Sequence, residues 1–313
     1  MQRREFVGGA VAASGFSGLS FAGPRREDLS ALRARLEACA ALAPGTLCVA
    51  IKDVASGNVI GVNETILCPM FSTVKLFVGA WVEGEIAAGR ISRTQSVKLD
   101  AASLPTGSGT LETRLRALGT MTASVNELVA AMLLESDNAA TDALIGLAGA
   151  PSRISADLDL TGQINFSRTT QDYGGAADAC KTMEDYRAWL ADTRNCATPM
   201  AFLRALERLD RGTLTGRVGD SATLAWMSQC KLGQNRVTKG LMPDWSCAVR
   251  TGTGSTVVER CFGVNQIVIA QHKTTGRKLL IVAFQKDIVA NAAVREASLA
   301  SVGRAISGQW PQG

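Results

Sequence analysis

Ser72 and Lys75 lie three positions apart in the stretch MFSTVKLF, and a helix puts both side chains on one face with the amine in reach of the hydroxyl. A serine hydroxyl is a weak nucleophile until a neighbouring base takes its proton. A lysine desolvated among Val74, Leu76, Phe77 and Val78 is neutral enough to be that base. The pair therefore points to acyl transfer through a covalent serine intermediate. The commoner base is missing: the single histidine, His272, falls in a polar turn between two predicted strands and reads as a surface residue. Ser-His-Asp catalysis has no material to work with.

Two further motifs share the chain with S-x-x-K, and each has a plain structural meaning beside the chemical one. Ser136-Asp137-Asn138 sits between two apolar helical runs in LLESDNAATDALIG, where Ser, Asp and Asn also serve as helix N-caps. Arg250-Thr251-Gly252 ends a strand in AVRTGTGS; its glycine admits a ligand close to the backbone, or simply makes a hairpin turn. S-x-x-K alone recurs by chance as a surface pair.

These residues need elements to position them. Leu29, Leu32 and Leu36 give residues 27–43 an amphipathic helix, and TLCVAIKDVASGNVIGVN reads as a hairpin turning at Ala55-Ser56-Gly57-Asn58. From about 72 to 232 the pattern is helical, with segments near 72–88, 124–135, 139–148, 184–192, 199–209 and 221–231. WSCAVRTG, NQIVIAQH and KLLIVAFQ then read as consecutive antiparallel strands, the last two turning at Thr274-Thr275-Gly276, and 290–307 as a final helix. The expected fold is α/β: an antiparallel sheet built from N- and C-terminal strands, flanked by helices, with a large all-α insert. A site then falls in the groove between the helical region and the strand AVRTGTG.

With 46% hydrophobic and 19% charged residues the chain buries a full core. Its net charge of +5 is spread without a basic run or interleaved aromatics, so no nucleic acid partner is expected, and nothing calls for more than a monomer. Residues 1–22, MQRREFVGGAVAASGFSGLSFA, pair Arg3-Arg4 with an apolar run ending in Ser20-Phe21-Ala22, which resembles a twin-arginine export signal cleaved after Ala22. Residues 23–313 then form one catalytic domain with a helical subregion at about 70–235, periplasmic or secreted, without a membrane span. The eight cysteines include no C-x-x-C or Cys/His metal spacing. In an exported chain they suit disulfides; Cys180 with Cys196 and Cys247 with Cys261 each bracket one local segment and are the pairs expected here.

S-x-x-K, S-D-N and R-T-G in this order on helix, interhelical loop and strand match the S-x-x-K, S-D-N, K-T-G set. The sequence resembles the penicillin-recognising serine hydrolases, most closely the class A β-lactamases, over roughly residues 27–310. Further matches are SDNAATDALIGLAGAP, CATP opening a helix, and GLMPDW before the third motif. The resemblance implies a β-lactamase/transpeptidase-like fold and a small-molecule β-lactam substrate, with no metal or cofactor. It implies Ser72 as nucleophile, Lys75 as base or proton relay, and Ser136 as donor to the departing lactam nitrogen. Asn138 would hold the substrate amide, Arg250 and Thr251 its carboxylate, and the backbone N–H groups of Ser72 and Thr253 the oxyanion. Arg236 in NRVTKGLMPDW matches an arginine that helps bind the carboxylate in some members.

Two departures stand out. Arginine replaces lysine in the third motif, keeping the charge but exchanging a point charge for a planar fork, as in carbenicillin-hydrolysing enzymes. Class A enzymes also break the acyl-enzyme with a glutamate in an E-x-x-L-N loop, and residues 167–199 contain no such pattern. Counting from Pro151 brings that glutamate to about Asp172, whereas counting back from Pro199 brings it near Glu184, because the loop is longer than usual. Three readings stay open on sequence: a β-lactamase, a D-alanyl-D-alanine peptidase or esterase, and a non-hydrolytic penicillin-binding protein.

Overall fold

The protein is described by a computed structural model covering residues 29–103, 105 and 109–309, so the twin-arginine-like segment lies outside the described residues. After helix α1 (Ser30–Ala41) come strands β1 (Thr46–Asp53), β2 (Val59–Val62) and β3 (Cys68–Pro69), then a 3-10 turn Phe71–Val74 running into α2 (Lys75–Ala87). The middle of the chain holds β4 (Ser96–Asp100), α3 (Thr110–Leu118), β5 (Thr120–Ser124), α4 (Val125–Ala130), a π-helical turn Ala131–Glu135, α5 (Asn138–Ala148), and α6 (Pro151–Asp157). It continues through β6 (Ile164–Asn165), α7 (Thr170–Asp178), α8 (Met183–Ala191), β7 (Cys196–Ala197), α9 (Pro199–Asp210), α10 (Arg217–Gln229), and α11 (Val237–Leu241). The C-terminal part is β8 (Trp245–Thr253), β9 (Thr256–Val257), β10 (Arg260–His272), β11 (Lys278–Ile288), and α12 (Ala292–Gln309).

The main sheet has the order β2-β1-β11-β10-β8, with β9 on β10, and its pairings are antiparallel. N-terminal β1 lies beside C-terminal β11, with Val49 opposite Ala283 and Ile51 opposite Ile281, so the sheet closes around everything between them. Strands β10 and β11 are almost continuously apolar because both sheet faces are covered. On one face Leu32, Leu36, Leu299 and Ile306 from α1 and α12 pack on Val268 and Ile281. On the other, Phe77 and Phe202 from the helical region pack with Phe284 and Val282. This is the α/β fold expected, with α2, the bearer of the Ser/Lys pair, at the centre of the second core.

The insert is not all helix. A three-stranded sheet, β3-β7-β6, and a two-stranded one, β4-β5, lie within it. Strands of two residues, such as Cys68–Pro69 and Cys196–Ala197, are too short to show a period in sequence. None of the described helices is long and apolar enough to cross a membrane.

All eight cysteines are free thiols in this structure, and neither expected pair is joined. Cys247 stands opposite Ala270 in the β8–β10 ladder while Cys261 begins β10, nine residues away, or about 30 Å at a strand's rise. Cys180 Sγ sits by the Asp185 carbonyl in the first turn of α8, and Cys196 Sγ by the Asp192 carbonyl just past its last residue. A disulfide needs α-carbons within about 7 Å.

Candidate active site

Phe71 adopts a left-handed φ of 47° directly before Ser72, turning the chain from β3 into the 3-10 turn and then α2. Strand β8 passes close to this junction. A Cβ at Gly252 would lie 2.8 Å from the Met70 carbonyl oxygen and 3.2 Å from the Ser72 nitrogen, so only glycine lets the two backbones meet. Asn265 of β10 ties the same corner from behind, its Nδ2 donating to Pro69 O at 2.8 Å.

Lys75 is fully buried. Its Nζ donates to the Ser136 carbonyl oxygen at 2.5 Å, to Asn138 Oδ1 at 2.5 Å and to Ser136 Oγ at 3.2 Å. Burial first, and then the like charge of Arg250, hold its pKa well below the ordinary lysine value, against the opposing pull of Asp137 and Asp142. The Ser136-Asp137-Asn138 corner reaches Lys75 because the π-helical turn ends in Ser136 at a left-handed φ of 66°. Buried Asp137 pins that corner by accepting from the backbone N–H groups of Ala140 at 2.8 Å, Gly109 at 2.9 Å and Leu111 at 3.2 Å.

Arg250 is fully buried behind the cavity wall. Its fork turns to the protein: Nη2 donates to Ser136 Oγ at 2.8 Å and Nη1 to Leu133 O at 3.3 Å. Burial draws its pKa down to about 10. The arginine that does line the cavity is Arg236, at the start of α11, with Nη1 on Gly252 O at 3.0 Å and Asn265 O at 2.9 Å and Nη2 on Thr253 Oγ1 at 2.7 Å.

Ser72, Lys75, Ser136, Asn138, Arg236, Thr251 and Thr253 all line one cavity of about 510 Å³. Its other wall is the segment between Arg168 and Asn195, closed at its neck by Asn195 Oδ1, which accepts from the N–H groups of Ser167 and Arg168 at 2.9 Å each. An Arg168–Asp192 ion pair at 2.8 Å reinforces that closure. Asp142 of α5 accepts from Thr170 N at 2.7 Å and Gln171 N at 2.9 Å, fixing the start of α7 over the site. Thr170 then donates its hydroxyl to Asn138 O at 3.3 Å and faces the cavity.

The two carboxylates expected in this loop stand elsewhere. Asp172 is exposed and engaged with the N-cap of α7, accepting from Thr169 Oγ1 at 2.8 Å, and Glu184 is exposed in the first turn of α8; neither lines the cavity. Both are drawn outward by helix starts, where acidic residues complement the free N–H groups. The acids that do reach the cavity rim are Glu135 and Asp178. His272, expected on the surface, is 3% exposed and packs edge-on against Trp245, its Nδ1 accepting from Thr275 N at 3.2 Å. Sequence reasoning missed Asp142, Thr170 and the Arg168–Asn195 neck. The only local signals were the capping patterns Thr169-x-x-Asp172 and Thr182-x-x-Asp185, which mark the two helix starts inside the loop.

An antiparallel sheet closed over a helical region, with a serine and a buried lysine at their junction, defines a class A β-lactamase-like serine hydrolase. The chain belongs to the Beta-lactamase enzyme family, whose sequence model matches residues 31–310. It is 26% identical to beta-lactamase OXY-2 of Klebsiella oxytoca over 210 residues, 67% of this chain and 68% of that one. To beta-lactamase CARB-4 of Pseudomonas aeruginosa it is 22% identical over 258 residues, 82% and 83% of the two chains. The crystal structure of a beta lactamase from Xanthomonas campestris superposes with a TM-score of 0.77 at 26% identity, covering 89% of this chain and 97% of that one.

Proposed function

We propose that the protein is an exported serine β-lactamase of class A type, in which formation of the acyl-enzyme is fast and its hydrolysis is the slow step. The observation that carries the reading is the cavity shared by Ser72 and a fully buried Lys75 whose amine is held by Ser136 and Asn138. In this reading Lys75 first gives up the proton directed at Ser136 Oγ, keeping its bonds to Ser136 O and Asn138 Oδ1, and the neutral amine then takes the Ser72 proton as Oγ attacks the lactam carbonyl. The Ser72 and Thr253 backbone N–H groups receive the developing oxyanion. Ser136 Oγ, between Lys75 Nζ at 3.2 Å and Arg250 Nη2 at 2.8 Å, hands a proton to the lactam nitrogen as the C–N bond breaks. Arg236 and Thr251 hold the substrate carboxylate. The twin-arginine-like start of the chain supports export.

A second reading, a penicillin-binding protein that stays acylated, draws support from one observation, the exposure of Asp172 and Glu184 away from the cavity. Mixing the purified protein with a chromogenic cephalosporin while following colour and intact mass separates the two. The expected result is a burst of one equivalent, an adduct in the mass spectrum, and continued slower turnover. An adduct without further colour would leave only the second reading, and neither colour nor adduct would sink both.

The rate of adduct formation should rise with pH as Lys75 loses its proton, on a limb below the ordinary lysine range. Arg250→Gln removes a like charge, so Lys75 holds its proton more tightly, and the limb should move to higher pH, whereas Arg250→Lys should keep it in place. An unmoved limb in the glutamine variant would mean that another group titrates.

A further inference from the structure

Beneath the nucleophile's turn lies a group of thiols that the hydrolytic chemistry does not use. In the β1–β11 ladder Cys48 stands opposite Phe284 and Thr46 opposite Lys286, so alternation along the strands puts all four side chains on the sheet face that meets the helical region. Strand β3 crosses that face. Lys286 Nζ donates to Leu67 O at 2.7 Å, and the next residue, Cys68, shares a side-chain hydrogen bond with Cys48. Both cysteines are buried, at 0% and 1% exposure, in one core cluster with Phe284. Cys196 is opposite Pro69 on β7, and its Sγ is turned toward the Asp192 and Arg194 carbonyls at 3.4 and 3.6 Å.

The contact is polarised. The Cys68 hydrogen bond, followed by the charge of Lys286, lowers the Cys48 pKa, while the same hydrogen bond and burial raise that of Cys68. The fold thus brings the two thiols into contact, the arrangement that thiol–disulfide exchange needs to close a bridge.

We propose that Cys48 and Cys68 form a disulfide when the chain folds in an oxidising compartment, stapling β1 of the main sheet to the segment that leads into Ser72. The Cys48 thiolate attacks a disulfide oxidant such as oxidised glutathione, forming a mixed disulfide and releasing one thiolate of the oxidant. Cys68, after losing its proton, attacks the Cys48 sulfur and expels the second. The two cysteines lose two protons and two electrons, and the oxidant becomes two thiols. Burial in the finished fold makes folding the time of oxidation and afterwards shields the bond from reductants.

The full chain refolded in a glutathione redox buffer, then denatured, alkylated and digested without reduction, tests the proposal. The expected product is one peptide pair, two hydrogens lighter than its parts, with fragmentation placing the link at Cys48 and not at Cys39, and at Cys68. Full alkylation of Cys48 and Cys68, or a link from Cys68 to Cys196, would overturn it. Reduction of the wild type should lower its Tm by about 5–10 °C, the scale expected for a bridge of this loop length. Cys48→Ser and Cys68→Ser should show no such gap between oxidising and reducing buffers; a wild type without the gap counts against the staple even if the variants fail to fold.

Discussion

Ser72→Ala is expected to give neither a mass adduct nor turnover with any β-lactam, while Lys75→Met should still form the adduct, more slowly by on the order of 10²–10⁴. The first change removes the atom that carries the acyl group. The second leaves that atom and removes the base, because among the described residues Lys75 is the buried amine of the cavity and its pKa is already depressed. Methionine matches the lysine stem in length and carries no charge into a fully buried site. The exchange leaves the Ser136 and Asn138 acceptors of the amine without their donor, at a cost of about 1–3 kcal/mol, so the variant's Tm should fall by a few degrees while the fold is kept. Its adduct formation should also lose the ascending pH limb, having no amine left to titrate. Time-resolved intact mass across pH measures rate and limb together. Wild-type acylation in Lys75→Met would remove lysine from the mechanism.

How much of this site was legible in the sequence depends on the distance over which each contact is made. Ser72 and Lys75 share one turn of chain, and the spacing of three announced them. The sheet was legible too, since β1, β10 and β11 are long apolar runs bounded by turns such as Thr274-Thr275-Gly276. Arg250 was legible as a motif residue but not in its direction. On a strand of alternating faces, only the packing of β8 against the π-helical turn decides that its fork meets Ser136 and Leu133 and not solvent. The loop was the least legible part. Its geometry rests on Asn195 closing onto Ser167 and Arg168, 28 and 27 positions back, and on Asp142 reaching Thr170, and such contacts leave no local period. Counting from either end could not allow for two helices inside the loop, so both counts settled on helix-start acids that face outward.

Thr170→Glu is expected to speed hydrolysis of the acyl-enzyme by about 10² or more, so that the adduct no longer accumulates. The base that releases the acyl group must reach a water beside the Ser72 ester. Residue 170 has that reach: it lines the cavity, its hydroxyl lies 3.3 Å from Asn138 O, and Asn138 Oδ1 holds Lys75. Its backbone is fixed, with N–H on Asp142 at 2.7 Å, so a longer side chain extends into the cavity without the loop having to move. Threonine offers a hydroxyl there and no proton-accepting group of suitable pKa. Glutamate in the first turn of α7 also suits the helix start electrostatically. The gain carries an opposite effect on acylation, since a carboxylate near Lys75 favours the charged amine and should shift the acylation limb to higher pH. Thr170→Gln, equal in size and without a base, should keep the long-lived adduct. If Thr170→Glu and Thr170→Gln lose their acyl groups at the same rate, the water is activated from another side of the cavity, and the rim acids Glu135 and Asp178 become the positions to exchange.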